Sequence, residues 1–293
     1  MNLYHQILIF GEVLFDCFPE GEEILGGAPF NVAWHLQALG AAPLLISRIG
    51  DDDRGQRILA AMNRWGLGTD GVEQDRDHPT GTVEVTLSDG QPSYEIREGV
   101  AYDYISCDPP PVTTGRQLLY HGTLALRHET SRQALERLMR QSDCDLFVDV
   151  NLRPPWWQQQ QVLGWLRQAR WAKMNSAELL ALGAIGSSIE AAMMELLQRC
   201  HLEQLIVTCG SDGALVASSS GELLRAAARV PQSFVDSVGA GDAFSAVYLQ
   251  GLLKGRSIAD NVSLAQQLAA RVIGRRGGIT DDLQLYQGFS TTG

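Results

Sequence analysis

The chain contains 293 residues, of which 45% are hydrophobic and 19% are charged, and its formal net charge at pH 7 is −11. This length and composition are typical of one large globular α/β domain. Because only two of the 23 basic residues are lysines, Lys173 and Lys254, the acidic surface argues against nonspecific binding to nucleic acid or to an anionic membrane.

Cysteine and histidine usage gives no sign of a disulfide framework or a zinc site. The five cysteines are an odd number without a C-x-x-C pair, and the six histidines lack metal-ligand spacing. The N-terminal apolar run "ILIF" is too short for a signal peptide, and no stretch reaches the length of a membrane span. We therefore expect a cytoplasmic protein with reduced thiols.

The first hundred residues contain two kinds of pattern. Buried strands alternate with helices over four segments: 7–10, 28–40, 43–50 and 54–66. The segment "GTVEVTLSDGQPSYEI" (81–96) then alternates apolar and polar residues around Asp89-Gly90, which is typical of a β-hairpin. With strands near 12–25, it predicts a small β lid from about 12–25 and 81–105.

From residue 118 the alternation of apolar strand and amphipathic helix returns. The predicted strands are 118–122, 146–150, 171–175 and 205–210, and the predicted helices are 130–142, 159–170, 177–183 and 188–200. An antiparallel pair over 214–230 precedes two helices, from 240 and over 258–274. This order predicts an α/β fold with a doubly wound, mostly parallel sheet flanked by helices, in a single domain over residues 1–293.

The stretch "FVDSVGAGDAF" (234–244) combines a glycine turn with the start of a helix. Gly239, Ala240 and Gly241 leave backbone N–H groups without partners at the positive end of a helix dipole, which favours an anion such as phosphate. Asp242 repels that anion, so its presence is explained if a proton must be removed beside a phosphoryl group. The alternative is that Asp242 only caps the helix.

Other nucleotide and nucleophile motifs do not fit this chain. Phe244 occupies the sixth position of a dinucleotide fingerprint that would begin at Gly239. Neither lysine belongs to a P-loop, and a G-x-S-x-G elbow does not occur. Backbone amides and arginines must therefore bind any phosphate.

Two segments place polar residues just after predicted strands, where an open α/β sheet binds its ligands. In "DVNLRPPWW", Asn151 and Arg153 follow a strand, and the alternative for Arg153 is a surface ion pair. In "NSAE", Glu178 lies one helical turn after Asn175 and suits a hydrated Mg²⁺. The alternative for this segment is a capping box that only closes the end of the helix.

The N-terminal region carries groups that suit a ligand with several hydroxyl groups. Asp16 follows the first strand in "GEVLFD", and Gly27 and Asn31 lie in "GGAPFNVA". Carboxylate and amide oxygens accept hydrogen bonds from hydroxyl groups, and an amide also donates. The alternative is that Gly26 and Gly27 form a turn and that Asn31 caps a helix.

These stretches also resemble a known family over the chain from Ile7 to about Gly278. "GGAPFNVAWHLQALG" resembles the N-terminal signature of the PfkB carbohydrate kinases, which have the ribokinase-like fold, and "DSVGAGDAF" resembles their C-terminal signature. The sequence around "GGAPFNVA" is most similar to the fructokinase branch. "DVNLRPPWW" is similar to a D-x-N-x-R segment of that branch and of the 2-keto-3-deoxygluconate kinases.

The resemblance implies roles at a phosphoryl-transfer site. The turn 239–241 would form the anion hole for the transferring group, and Asp242 would be the catalytic base. Asn175 and Glu178 match an N-x-x-E motif that handles phosphate and Mg²⁺, with Glu178 holding the ion through water.

The resemblance also implies contacts for both substrates and for a second ion. The segment "TCGSDGA" places three residues near ATP: Thr208, Gly210 and Gly213. Asp16, Gly27 and Asn31 match sugar-contacting positions of the family. We add Arg153 and Arg97 to the predicted sugar contacts, because they bring positive charge toward the site. A monovalent cation, K⁺, would bind backbone carbonyls of Asp236 and Val238.

We therefore expect a sugar kinase that uses ATP and Mg²⁺ and phosphorylates a primary hydroxyl group, with fructose as the favoured acceptor. Another ketose or 2-keto-3-deoxygluconate comes next, and a nucleoside last. The rival from another class is a non-catalytic sugar sensor on the same fold, against which the carboxylate of Asp242 argues. The expected partners are the sugar, ATP and a second copy of the chain through the lid, with neither nucleic acid nor membrane.

Overall fold

The computed structural model describes residues 4–88, 91–108, 110–111, 115–231 and 233–289. Within these residues the strands are β1 (Gln6–Phe10), β2 (Leu14–Cys17), β3 (Glu23–Gly26), β4 (Leu44–Gly50), β5 (Val72–Asp75), β6 (Gly81–Ser88), β7 (Gln91–Ile96), β8 (Gln117–His121), β9 (Cys144–Asp149), β10 (Trp171–Asn175), β11 (Gln204–Thr208), β12 (Ala214–Ser218) and β13 (Leu223–Ala226). The α-helices are α1 (Ala28–Ala38), α2 (Asp53–Trp65), α3 (Glu129–Gln141), α4 (Gln159–Leu166), α5 (Ser176–Ala181), α6 (Ile189–Cys200), α7 (Ala240–Leu253) and α8 (Ile258–Val272).

Nine of the described strands form the main sheet, in the order β13-β12-β11-β10-β9-β8-β1-β4-β5. The pairs from β5 to β11 are parallel. The edge strands β12 and β13 are antiparallel, as predicted for 214–230. The predicted mostly parallel sheet is therefore confirmed.

Helices cover both faces of the main sheet, because alternate residues of each strand point to opposite sides. In β1, Ile7 and Ile9 belong to a buried cluster that includes residues of α1, α7 and α8. Leu8 and Phe10 belong to a second buried cluster, which includes residues of α3, α4 and α6. This arrangement confirms the doubly wound fold.

A second, smaller sheet has the order β3-β2-β6-β7. Its β6–β7 pair is antiparallel and aligns Val83 with Ile96, which confirms the predicted hairpin. The predicted turn at Asp89-Gly90 lies outside the described residues. The β2–β6 pair is parallel, so the small sheet joins the two chain segments that were predicted to lie together.

Residues 97–105 leave this small sheet, contrary to the predicted extent of the lid. Residues 101–104 form a short 3₁₀ helix. Val100, Tyr102 and Ile105 are fully buried in the same cluster as Leu8 and Phe10. Burying these apolar side chains in the main core removes more apolar surface from water than a place in a sheet edge would.

Two further differences have local causes. Helix α4 ends at Leu166 and does not reach residue 170, because the N–H of Arg170 donates to the carbonyl of Leu146 at 2.9 Å and so joins the sheet. Strand β5 was not predicted. Its sequence "VEQD" contains a single apolar residue, so it carries no hydrophobic pattern.

The carboxyl ends of β1, β8, β9, β10 and β11 lie at one edge of the main sheet, since these strands are parallel. An open α/β sheet binds ligands at this edge. Within the described ranges, no helix combines the length and apolar character that spanning a membrane requires.

Candidate active site

The glycine turn before α7 has the geometry of an anion site. Gly239 has φ 78° and precedes the first residue of the helix. A Cβ at this position would lie 2.2 Å from the Cα of Gly278, so only glycine fits. The N–H of Ala243 donates to the carbonyl of Gly239 at 2.9 Å. The N–H groups of Gly241 and Asp242 precede that bond and remain available to a ligand.

The carboxylate of Asp242 faces a cavity and accepts a hydrogen bond from Asn31 Nδ2 at 2.8 Å. Burial raises its pKa to about 6, against the lowering effect of Asn31. Gly239 is the N-cap of α7 and no side chain caps this end of the helix. The capping alternative for Asp242 is therefore not observed.

The cavity beside Asp242, which we call the acceptor cavity, has a volume of about 570 Å³. It brings together nine of the residues singled out by sequence: Asp16, Gly27, Asn31, Asn151, Arg153, Val238, Gly239, Gly241 and Asp242. Asn31 and Asp242 are 211 positions apart, so the two signature stretches meet at one site.

Gly26 and Gly27 make room for a ligand in this cavity. A Cβ on Gly26 would lie 3.7 Å from both Asn31 Oδ1 and Asp16 Oδ2, so the two acceptor atoms border the same space. Within the described part of the chain, Asn31 Oδ1 is buried without a hydrogen-bond partner. Gly27 has φ 109° and lies so close to the carbonyl of Glu12 that a Cβ would approach it to 2.8 Å.

The acceptor cavity is unusually acidic. Burial raises the pKa of Glu12 to about 7 and that of Asp16 to about 6. Arg153 opposes both shifts. Among the described residues it is the one basic residue that lines the cavity, and its Nη1 donates to the carbonyl of Leu152 at 3.1 Å.

A second cavity of about 240 Å³, which we call the nucleotide cavity, lies on the other side of the glycine turn. It is lined by Thr208, Gly210, Gly213 and Ala240, all of which were predicted from sequence. Ser237 and Gly241 line both cavities. The two cavities therefore meet at the glycine turn.

Asn175 and Glu178 form the capping box that was the alternative prediction. Asn175 Oδ1 accepts from the N–H of Glu178, and Glu178 accepts from the N–H of Asn175, both at 2.8 Å. The other carboxylate oxygen of Glu178 accepts from the N–H of Leu152 at 2.8 Å. Burial raises the pKa of this carboxyl group. Neither residue lines the two cavities described above.

Two other predicted groups lie at the margin of the site. Asp236 Oδ1 accepts from the N–H of Val238 at 3.0 Å and so closes the loop before the glycine turn. Arg97 is exposed and does not line the acceptor cavity. Its backbone carbonyl accepts from Arg127. The structure thus does not bring the Arg97 side chain together with the other predicted sugar contacts.

Three charged residues of the site had no role in the sequence analysis. Glu12 lines the acceptor cavity, and Lys173 in the middle of β10 pairs at 2.9 Å with Asp149, the last residue of β9. The available signal was a lysine inside the otherwise apolar strand "WAKMN". A charged side chain in a buried strand needs a partner of opposite charge. Which residue is that partner depends on which strands are neighbours in the sheet.

No cluster of three or more His, Cys, Asp or Glu side chains suited to a metal ion occurs among the described residues.

The sequence profile of the pfkB family carbohydrate kinases matches residues 12–284 of the chain.

Named relatives agree with this match. The fructokinase of Klebsiella pneumoniae is 31% identical over 95% of this chain and 98% of its own length. The crystal structure of aminoimidazole riboside kinase from Salmonella enterica, with aminoimidazole riboside and an ATP analog, superposes with a TM-score of 0.83 at 26% identity over 98% of this chain and 100% of that chain. A fructokinase double mutant from Vibrio cholerae O395, with fructose, ADP and potassium ion bound, has a TM-score of 0.85 at 22% identity over 98% of both chains, which shows a shared fold.

Proposed function

The chain belongs to the pfkB family of carbohydrate kinases, and we propose that this sugar kinase transfers the γ-phosphoryl group of ATP to a primary hydroxyl group of fructose. The observation that carries the proposal is the meeting of the two cavities at Gly241. Asp242 lines the acceptor cavity and not the nucleotide cavity, so a base faces the side on which a hydroxyl group would lie.

In the proposed reaction, the acceptor hydroxyl group gives its proton to Asp242 as its oxygen bonds to the γ-phosphorus. The bond from the γ-phosphorus to the bridging oxygen breaks, and ADP leaves with that oxygen. The N–H groups of Gly241 and Asp242 oppose the charge on the transferring group. With a pKa of about 6, the Asp242 carboxylate is ionised at neutral pH and still basic enough to accept a proton.

The donor atoms near Glu178 suit a hydrated Mg²⁺. Each carboxylate oxygen of Glu178 accepts one backbone N–H and keeps a second lone pair for a water molecule. Bound Mg²⁺ would offset the negative charge of the phosphates. Among the described residues, the carbonyl oxygens of Asp236 and Val238 accept no hydrogen bond, which supports their proposed role as K⁺ ligands.

The charges of the acceptor cavity favour a neutral acceptor. Among the described residues, the carboxyl groups of Glu12, Asp16 and Asp242 line it together with the guanidinium group of Arg153. The carboxylate of 2-keto-3-deoxygluconate would add a further negative charge to this cavity, which Arg153 would have to offset as well. Fructose is uncharged, and the fructokinase relative supports this choice.

The test is a side-by-side comparison of kcat/KM for fructose, ribose, 2-keto-3-deoxygluconate, adenosine and aminoimidazole riboside. We expect fructose to give the highest value, and Arg153→Ala to weaken sugar binding by about 1–3 kcal/mol. A higher kcat/KM for another acceptor would overturn fructose and keep the kinase. If the wild-type protein binds sugar but shows no turnover in single-turnover assays, the alternative of a non-catalytic sugar sensor would be favoured.

We propose in addition that the protein acts in the cytoplasm, where ATP is available, and that the small sheet pairs with that of a second copy. Tyr94 of this sheet is 54% exposed and offers apolar surface for such a contact. Light scattering of the wild-type protein and of Tyr94→Lys tests the dimer. A monomeric wild-type protein would exclude it.

A further inference from the structure

A buried ion pair lies directly behind the glycine turn. Lys173 Nζ is 2.9 Å from both carboxylate oxygens of Asp149, and the two side chains are 7% and 4% exposed. Removing two charges from water is costly, so a buried pair of this kind is weak evidence for stability by itself. Its position points to a role in the site.

Asp149 ties several elements to the glycine turn. Its Oδ2 also accepts hydrogen bonds from Ser245 at 2.7 Å and from Tyr120 at 3.2 Å. Ser245 Oγ in turn lies 3.0 Å from the carbonyl oxygen of Gly241. The strands β8, β9 and β10 are thereby connected to the first turn of α7.

The ammonium group of Lys173 reaches the point where the two cavities meet. A Cβ placed on Gly241 would lie 3.5 Å from Lys173 Nζ, and Gly241 lines both cavities. Within the described residues, Lys173 donates only to Asp149. An ammonium group has three N–H donors, so one remains for this side of the site.

We propose that Lys173 and Asp149 act as positioning residues, which hold the glycine turn in place and set the electrostatic environment in which Asp242 accepts a proton. This inference rests on the proposed function, because it assigns the pair to the same phosphoryl transfer. Neither residue takes part in bond making. Each acts through the turn and through its charge.

The charges around Asp242 come from several elements. Asp149 raises the pKa of Asp242, and Lys173 and Arg153 lower it. Glu12, which follows β1, and Tyr120, which belongs to β8, also interact electrostatically with Asp242. Removing one member of the ion pair should therefore shift the titration of Asp242 in a direction that depends on which member is removed.

Lys173→Gln, Asp149→Asn and the double variant provide the test, because each single substitution removes one charge and keeps a hydrogen-bonding group. The titration of Asp242 is followed by ¹³C carboxyl NMR, with its signal identified by its absence in Asp242→Asn. We expect the midpoint to rise by about half a pH unit or more in Lys173→Gln and to fall by a similar amount in Asp149→Asn. The double variant should return close to wild type.

Glu136→Gln is the matched control, since it removes one charge from the exposed i,i+4 ion pair with Arg140 and should leave the midpoint in place. Each variant is first shown to be folded by urea denaturation. Unmoved midpoints in both single variants, or shifts of the same sign, would overturn the inference.

The pH dependence of kcat/KM tests the proposed function separately. Its acid limb should move with the NMR midpoint in each variant. An NMR shift without a shift of the acid limb would support the electrostatic pair and contradict Asp242 as the base. The NMR experiment needs no turnover, so it remains decisive if no acceptor is phosphorylated.

Discussion

Partly buried carboxylates at the two ends of the main sheet have opposite properties. At the amino ends of the strands, Asp145 accepts hydrogen bonds from Tyr4, from Arg116 at 2.7 Å and from Arg170 at 2.8 Å. Burial raises its pKa, but these bonds outweigh the effect and leave it below the ordinary value. At the carboxyl ends, Asp242 has one hydrogen bond from an amide, and burial raises its pKa to about 6.

The opposite pKa shifts of Asp145 and Asp242 follow from the number of donors and cations around each carboxylate. A carboxylate surrounded by cations is stabilised in its ionised form and is a poor base. A carboxylate with few donors is destabilised when ionised, and it accepts a proton more readily. The same sheet thus carries a cluster of paired charges at one end and, at the other, the cavity for which we propose phosphoryl transfer.

The largest expected effect comes from removing the base. Asp242→Asn keeps size and polarity but cannot accept the proton, so we expect kcat to fall by about two to four orders of magnitude. Affinity for sugar and ATP should change little, because the backbone amides of the turn remain. Steady-state kinetics and calorimetric binding measure both effects. Retention of more than roughly a tenth of the activity would exclude Asp242 as the base.

The reciprocal change at the other end of the sheet should affect stability alone. Asp145→Asn removes the charge that Arg116 and Arg170 share, and we expect a loss of about 1–3 kcal/mol in unfolding free energy near neutral pH.

Because the pKa of Asp145 is lowered in the folded state, this contribution is present above the unfolded value of 3.8 and is lost as pH falls below it. Urea denaturation at several pH values measures the difference, and kcat should be unchanged. An equal loss at all pH values would show that packing, not charge, explains the effect.

Asp242→Asn should also stabilise the protein. The folded-state pKa of about 6 exceeds the ordinary value of 3.8, so the ionised form costs stability as pH rises through this range. We expect a gain of about 1–3 kcal/mol near neutral pH and little change below pH 3.8. Thermal and urea unfolding at both pH values measure it. A destabilised variant at neutral pH would contradict the electrostatic contrast between the two ends.

Gly26→Ala tests the space between Asp16 and Asn31. Its Cβ would lie 3.7 Å from an oxygen of each, an ordinary contact, so the variant should fold. The methyl group would fill space needed by acceptor hydroxyl groups, and we expect KM for the sugar to rise about tenfold with a smaller change in kcat. Gly164→Ala in α4 is the control, since a Cβ there meets no atom within 4 Å. Equal KM values for both variants would place the sugar elsewhere.

The smallest effect is expected from Glu178→Gln. The Mg²⁺ concentration for half-maximal rate should rise about three- to tenfold, because the neutral amide holds a hydrated cation less well, while sugar binding stays nearly intact. Glu136→Gln, at an exposed i,i+4 ion pair with Arg140, is the matched control. An unchanged Mg²⁺ titration for Glu178→Gln would leave this residue with its capping role alone.

Much of the architecture can be predicted from local pattern. The alternation of apolar strands and helices indicated the parallel sheet, and the alternation over 81–96 indicated the hairpin. The glycine turn was recognisable because its small residues and the following helix are contiguous. Strand β5 escaped prediction, since an edge strand with one apolar residue has no period to detect.

The contacts of the site required the folded chain. Asn31 donates to Asp242 across 211 positions, and Lys173 meets Asp149 because β10 is the neighbour of β9. Arg97 follows the predicted hairpin but is exposed and does not line the cavity. Local sequence reports the period and backbone preference of each element, so it is enough to place a glycine turn before a helix. Which charged groups then share a cavity depends on strand order and on packing between distant segments, and these determine how strongly each carboxylate is desolvated and paired.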